Sequence, residues 1–183
     1  MTKSIHSLLL TLLAMFAVSC GTDNEFRVNG RIDGFGTGNL RLVYYNGEGV
    51  QSLAATAIDG RFTVTGRLDK EALLRVYTNN GHVAGRLIVA PGQTIEAVYN
   101  ITDPAKVELD GNDNSKRLAK FIRENADAIR SGDAATLNTA VESYVRANPK
   151  RAVSGALLAD YYDPQTNPAL ALELINTLER DAR

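Results

Sequence analysis

The chain has 183 residues, of which 44% are hydrophobic, enough for one packed domain or for a small domain with an appendage. Its 20 basic and 21 acidic side chains nearly cancel and no basic patch stands out, which argues against nucleic acid as a partner. Tryptophan is absent, so the commonest platform for stacking sugars is missing, although seven tyrosines are present.

Residues 1–19 have the pattern of a secretory signal peptide. Lys3 gives a short positive region, and the mostly apolar run LLLTLLAMFAVS (8–19) follows it. This run is shorter than the roughly 20 residues that a helix needs to cross a bilayer. We therefore predict an export signal and no transmembrane anchor in this segment.

Cys20 is the only cysteine of the chain and stands directly after this run. The segment AVSC (17–20) resembles a bacterial lipobox, whose cysteine becomes the lipidated first residue of the mature protein, with Ala17 where leucine is usual. A lone thiol in an exported protein has no disulfide partner, and lipidation explains it. We predict that acyl chains on Cys20 hold the protein at the membrane, with residues 20–24 as a tether. The alternatives are a soluble exported protein and an unprocessed cytosolic chain.

Residues 25–111 are predicted to form an all-β domain. Apolar and polar residues alternate there in short runs, which is the period-two pattern of strands. The runs are FRVNGRI (26–32), NLRLVYY (39–45), RFTVTG (61–66), LLRVYT (73–78), GRLIVA (85–90), TIEAVYN (94–100) and AKVELDG (105–111). We expect an antiparallel β-sandwich or open barrel of about seven or eight strands. Because neighbouring strand residues point to opposite faces, one of Tyr44 and Tyr45 is predicted to be in the core and the other outside it.

The links between these runs have turn chemistry. Asp59-Gly60 and Asn80-Gly81 are typical of type I′ hairpins, and Ala90-Pro91-Gly92 of a type II turn. The glycine-rich GFGTGN (34–39) invites comparison with a phosphate-binding loop, but such loops lead into a helix. This segment leads into a predicted strand, so we interpret it as a hairpin.

Residues 112–183 change to a helical period and are predicted to form about four short amphipathic helices. The second helix follows the N-cap Asp133 and stops at Asn148-Pro149, the third spans about 150–162, and the fourth is capped by Asn167 and begins with Pro168. The apolar faces of the first two helices are Leu118, Phe121, Ile122, Ala126 and Ile129, and Leu137, Val141, Tyr144 and Val145. The third helix is predicted to bury Val153, Ala156, Leu157 and Tyr161, and the fourth carries Leu170, Leu174, Ile175 and Leu178. With the strands, they give an α+β fold.

No catalytic, cofactor-binding or metal-ligating residue is predicted. His82 follows the Asn80-Gly81 turn and lacks the context of a catalytic triad, and one histidine with a lipidated cysteine is too few for a zinc site. The segment DGNDNS (110–115) resembles the start of a calcium loop. An EF-hand would need glycine and glutamate where Ser115 and Phe121 stand. We interpret it as a turn with a helix N-cap.

The order of parts resembles a known arrangement. The matching segments are FRVNGRIDGFGTGNLRLVY (26–44), IDGRFTVTGRLD (58–69), LIVAPGQTIEAVY (87–99), VELDGNDNSKRLAKF (107–121) and YVRANPKRAVSGALLADYY (144–162). They are similar to the N-terminal domain of unknown function that precedes thioredoxin-like domains in lipoproteins of some Gram-negative bacteria. Those proteins are thiol-disulfide oxidoreductases of the cytochrome-maturation and peroxiredoxin-like type. The resemblance implies a location in the cell envelope, as an outer-membrane lipoprotein facing the periplasm or the cell surface.

The chain departs from that family because C-x-x-C occurs nowhere in it. Thiol-disulfide exchange needs a thiolate, so the family's activity is not carried over. We expect a non-catalytic interaction or spacer module whose partner is an unknown envelope protein or polymer. The alternatives are an oxidoreductase lacking its thioredoxin-like domain, which DNA sequence beyond codon 183 would reveal, and a glycan- or peptide-binding lipoprotein that uses exposed tyrosines.

Overall fold

In the described part of the chain, the alternation of apolar and polar residues produces eight strands in two sheets. The structure, a computed structural model, describes residues 24–179. The strands are β1 (Glu25–Asp33), β2 (Gly38–Tyr45), β3 (Val50–Ala57), β4 (Arg61–Arg67), β5 (Ala72–Thr78), β6 (Val83–Val89), β7 (Thr94–Asn100) and β8 (Val107–Asp110). One sheet, sheet A, has the order β4-β1-β7-β8, and the other, sheet B, has the order β3-β2-β5-β6.

The two sheets pack through the faces that the alternation predicts. Phe26 and Val28 of β1 and Leu42 and Tyr44 of β2 are all buried. The rings of Phe26 and Tyr44 meet edge to face with their centroids 5.2 Å apart, which joins the two inner faces. The predicted α+β class and the number of strands are confirmed, and the sheets are not closed into a barrel.

One pair of strands is not antiparallel. β1 and β7 run parallel at the centre of sheet A, with Val28 opposite Ile95, whereas every other pair of the described strands is antiparallel. Parallel neighbours cannot be joined by a tight turn. Here five strands, β2 to β6, lie between β1 and β7 in the sequence, and all of them except β4 belong to sheet B.

Several predicted turns connect strands of different sheets. Residues 34–37 lead from β1 in sheet A to β2 in sheet B, so the hairpin predicted for GFGTGN is wrong. Asp59 and Gly60 both have positive φ, 50° and 76°, as a type I′ turn requires, but β3 and β4 then part into opposite sheets. A sandwich needs such crossings because its two sheets are built from one chain.

The Asn80-Gly81 turn differs from the predicted type. It does join neighbouring strands, β5 and β6, but only Gly81 has positive φ. The Asn80 side chain accepts hydrogen bonds from the Thr78 hydroxyl and from the backbone N–H of His82. These hydrogen bonds stabilise the turn, so Asn80 does not need to adopt a left-handed backbone conformation.

Strand β3 was absent from the predicted runs. Its sequence, VQSLAATA, turns Leu53 and Ala55 towards the interior and leaves Val50 74% exposed. Because its inward side chains are mostly small and its outward ones include an apolar residue, the strand shows little contrast between its two faces.

Up to residue 179, where the described part of the chain ends, five helices follow the strands, whereas the sequence predicted about four. They are α1 (Asp113–Glu124), α2 (Ala126–Ser131), α3 (Ala134–Ala147), α4 (Ala152–Asp160) and α5 (Pro168–Thr177). The predicted N-caps Asp133 and Asn167 accept hydrogen bonds from Thr136 N and Leu170 N. The first predicted helix is divided at Asn125, whose side chain donates to the Phe121 carbonyl and whose φ and ψ, −112° and 23°, are not helical.

Helix α1 covers the edge of sheet B. The Ser115 hydroxyl donates to the carbonyl of Ile88 in β6 and accepts from its N–H, at 2.7 and 3.0 Å, and Asn112 Nδ2 donates to the same carbonyl. The side chains of Ser115 and Asn112 thus hydrogen-bond to backbone groups of the edge strand β6 that would otherwise be unpaired. Asn112 also caps α1 by accepting from Ser115 N, so the capping interpretation of DGNDNS is confirmed.

Strands and helices share one hydrophobic core, in which Val28 and Leu74 of the sheets are clustered with Leu118, Leu157 and Leu174 of the helices. The predicted signal (1–19), Cys20 and the tether up to residue 23 lie outside the described residues. Within 24–179, no helix has both the length and the apolar character needed to cross a membrane.

Candidate functional site

An apolar groove lies on the outer face of sheet B. Helix α4 packs against β5 and β6, and α5 packs against α4, which leaves a trough beside the end of β2. The outward side chains of β2 and β5, Val43 and Leu73, contribute to it from the sheet. Ile175 and Leu178 at the end of α5 line it from the other side.

Space for the groove comes from small side chains on α4. Ala152, Gly155, Ala156 and Ala159 all line it. With no large side chains at these positions, the helix and the sheet enclose about 470 Å³. This volume lies within the range of small-molecule sites, which are usually about 300–1,000 Å³ and mostly apolar.

A charged cluster fixes α4 on the sheet beside the groove. Asp160, at the end of α4, has a side chain that is only 7% exposed. Arg75 Nε of β5 donates to both of its carboxylate oxygens, at 2.9 and 3.0 Å, and Arg75 Nη2 donates at 2.6 Å. Arg86 Nε of β6 donates to the same carboxylate. One acidic side chain on the helix thus bridges two neighbouring strands.

Burial and pairing shape the electrostatics of this cluster. The hydrogen bond to Asp160, joined by its negative charge, raises the pKa of the Arg75 guanidinium. The Arg86 guanidinium lies over the Tyr161 ring, 5.3 Å from its centroid, which is a cation–π contact. Burial raises the pKa of the Tyr161 hydroxyl. Arg75 therefore stays charged and Tyr161 stays neutral at physiological pH.

The charged side chains that line the groove already have partners. Arg75 is held by Asp160, and Glu71 Oε2 accepts from Asn114 Nδ2 at 2.6 Å. The remaining lining is dominated by aliphatic side chains. Such a surface favours an apolar occupant over a charged one.

The mouth of the groove exposes large apolar side chains. Tyr45 is 56%, Val50 74% and Ile175 46% exposed. Exposed apolar patches of this kind mark interaction surfaces more often than scattered single residues do. Ile175 was predicted to lie on the buried stripe of the last helix, and that prediction is wrong: Leu174 fills the core and Ile175 faces the groove.

The groove lies close to the start of the described chain. The carbonyl of Asn24 accepts from Leu68 N, and Asn24 Nδ2 donates to Asp69 Oδ1 at 2.7 Å. Asp69 is two residues before Glu71, which lines the groove, so these positions are at most about 7 Å apart along the chain. The described part of the chain therefore begins beside the groove.

Other sequence-predicted residues lie elsewhere. His82 is exposed in the turn between β5 and β6. Tyr44 is buried and Tyr45 exposed, as predicted for this pair. On the outer face of sheet B, the Val43–Arg75 pair separates Tyr45 from Tyr77, which stacks with Arg41. Among residues 24–179, no group of three or more His, Cys, Asp or Glu side chains is arranged to hold a metal ion.

Sequence reasoning missed the groove because its parts are far apart in the chain. The nearest local signal is the outward apolar pattern of β2 and β5, where Val43, Tyr45 and Leu73 stand at positions that usually face solvent. A second signal is the series of small residues on α4. Neither indicates by itself that the two surfaces meet.

A scan of the chain against models of known protein families finds no match, and a search of curated proteins finds no significantly similar one.

Proposed function

We propose that the protein is a membrane-anchored lipoprotein of the cell envelope, held at the outer membrane by acyl chains on Cys20. In this proposal the folded part is a non-catalytic interaction or spacer module that faces the periplasm or the cell surface. Its partner is an envelope protein or polymer, recognised through an apolar surface. The resemblance to the domain that precedes thioredoxin-like domains supports this location.

The observation that carries the proposal is the short separation in sequence between Cys20 and Asn24. Asn24 is already fixed by hydrogen bonds to Leu68 and Asp69. Four residues extended to about 3.5 Å each span about 14 Å, so a lipidated Cys20 would hold the sandwich next to the membrane surface. Two or more acyl chains suffice for stable attachment, since each buried methylene contributes about 0.8 kcal/mol.

The sequence supports a module without redox activity of its own. Cys20 is the only thiol in the chain, and acylation would consume it. Disulfide exchange requires an attacking thiolate, and no other residue of the chain supplies one.

Replacing Cys20 tests the anchor. We expect Cys20→Ala to move the protein from the membrane fraction to the soluble fraction, because the acylated sulfur is lost. Ser19→Ala is the matched control: it keeps a small residue before the cysteine, and the protein should stay in the membrane fraction. Labelled palmitate should mark the wild type and Ser19→Ala but not Cys20→Ala. Absence of label from the wild type would show that the anchor proposal is wrong.

A further inference from the structure

We propose that the mouth of the apolar groove is a membrane-contact surface, in which Tyr45, Val50 and Ile175 enter the lipid layer beside the anchor. The proposal rests on the lipidation of Cys20 and goes beyond it. Lipidation alone requires only a tether, whereas this inference gives the folded part a fixed face towards the bilayer.

The groove lies at the end of the sandwich where the described part of the chain begins. Asn24, the first described residue, is hydrogen-bonded to Leu68 and Asp69, and Glu71 of the following segment lines the groove. The Tyr44 hydroxyl donates to the Arg67 carbonyl and accepts from its N–H, which fixes the end of β2 to the end of β4. Tyr45 is therefore held at the same end of the sandwich as Asn24. A tether of about 14 Å brings this end, and not the opposite one, to the membrane.

The exposed side chains of the groove have the chemistry of a lipid-contacting surface. Tyr45, Val50 and Ile175 are among the five large apolar side chains that are exposed between residues 24 and 179, and all three belong to this groove. The charged side chains that line it are engaged within the protein, Glu71 by Asn114 and Arg75 by Asp160. Aliphatic side chains gain free energy in the acyl region, and tyrosine is favoured at the interface between lipid and water. A lipid surface matches this lining, whereas a charged polymer does not.

The opposite end of the sandwich provides a matched control. Ile58 is 64% exposed and lies in the turn between β3 and β4, at the far end of β3 from Val50. Both are exposed β-branched aliphatic residues, and only Val50 is at the anchor end. The two positions therefore differ mainly in which end of the sandwich they occupy.

The test uses tryptophan as a depth probe, since the chain contains none. Full-length Val50→Trp and Ile58→Trp proteins, produced with their export signal in a Gram-negative host, are reconstituted into phosphatidylethanolamine–phosphatidylglycerol vesicles with and without brominated lipid. Emission from Val50→Trp is expected to shift to shorter wavelength when vesicles are added, and brominated lipid should quench it. Emission from Ile58→Trp should show neither effect.

Flotation of the wild type and of Cys20→Ala with the same vesicles separates the two proposals. If the wild type floats and Cys20→Ala does not, the lipid anchor on Cys20 is supported. In that case, equal emission and equal quenching of Val50→Trp and Ile58→Trp would overturn only the proposed membrane-contact surface. If Val50→Trp shifts without quenching by brominated lipid, protein and not lipid covers the groove, which also overturns it. If the wild type does not float, both proposals fail.

Discussion

Gly111, between β8 and α1, has a backbone conformation that other residues rarely adopt. Its φ is +110°, and a Cβ at this position would lie 2.1 Å from the carbonyl oxygen of Thr94 in β7. A backbone atom in a central strand cannot move away without disturbing the sheet. Gly132, which follows α2, also has positive φ, +70°, but a Cβ there would meet no atom within 4 Å.

These two glycines allow a paired stability measurement. We expect Gly111→Ala to lower the free energy of unfolding by about 3 kcal/mol, because left-handed strain is added to the collision with Thr94. Gly132→Ala should cost about 1 kcal/mol, from the strain alone. Urea denaturation followed by circular dichroism measures both. Equal decreases in the free energy of unfolding of the two variants would contradict the close contact between Gly111 and β7.

At the scale of elements, Asp160 attaches helix α4 to strands β5 and β6. Its carboxylate is 7% exposed and binds Arg75 and Arg86, whose side chains are 30% and 24% exposed. An acidic residue at the end of a helix is unfavourable for the helix dipole. The position is therefore explained by the contact between helix and sheet and not by the stability of the helix itself.

We expect Asp160→Asn to destabilise the protein by about 3 kcal/mol, because two partly buried guanidinium groups would be left facing each other without a carboxylate. Asp127→Asn is the control. Asp127 is fully exposed and its distance to Arg130 is 3.5 Å, so this change should leave the melting temperature nearly unchanged. Thermal unfolding of the three proteins measures the difference. A loss for Asp160→Asn as small as that of the control would show that the cluster does not hold α4 in place.

At the scale of the whole molecule, the sandwich and the helices share a core. Leu157 of α4 and Val28 of β1 are both fully buried and belong to the same hydrophobic cluster. Domains that share one core usually unfold in a single cooperative transition. The helices are thus expected to add stability to the sandwich and not to unfold separately from it.

Core truncations in the two parts test this cooperativity. We expect Leu157→Ala to lower the free energy of unfolding by about 3 kcal/mol and Val28→Ala by about 2 kcal/mol, through lost burial and the cavity left behind. In each variant, far-UV circular dichroism and tyrosine absorbance should report one coincident transition. A separate early transition in Leu157→Ala would show that the helical segment unfolds independently.

Much of the fold follows from local patterns in the sequence. The alternation in 26–32 and 39–45 predicts which side chains of β1 and β2 are buried, because side chains in a strand point to opposite faces in turn. Asp133, Asn167 and Pro168 mark helix starts through capping chemistry that depends only on neighbouring residues. Strand β3 was missed because small inward residues and the outward Val50 blur this contrast.

Other features depend on contacts between distant parts of the chain, and only the tertiary structure decided them. The parallel pairing of β1 with β7 joins strands some 67 positions apart, and no local period encodes such a partner. The groove forms because small residues of α4 lie opposite Val43 and Leu73 of sheet B. Ile175 faces outward and Leu174 inward because of the way in which α5 packs on the rest of the protein. The sequence by itself determined the single thiol at Cys20 and the α+β plan, and it predicts the export signal, since each depends on neighbouring residues. Which strands share a sheet, and where apolar side chains are left open, was decided by tertiary packing, because burial and strand pairing are satisfied between residues that are remote in the chain.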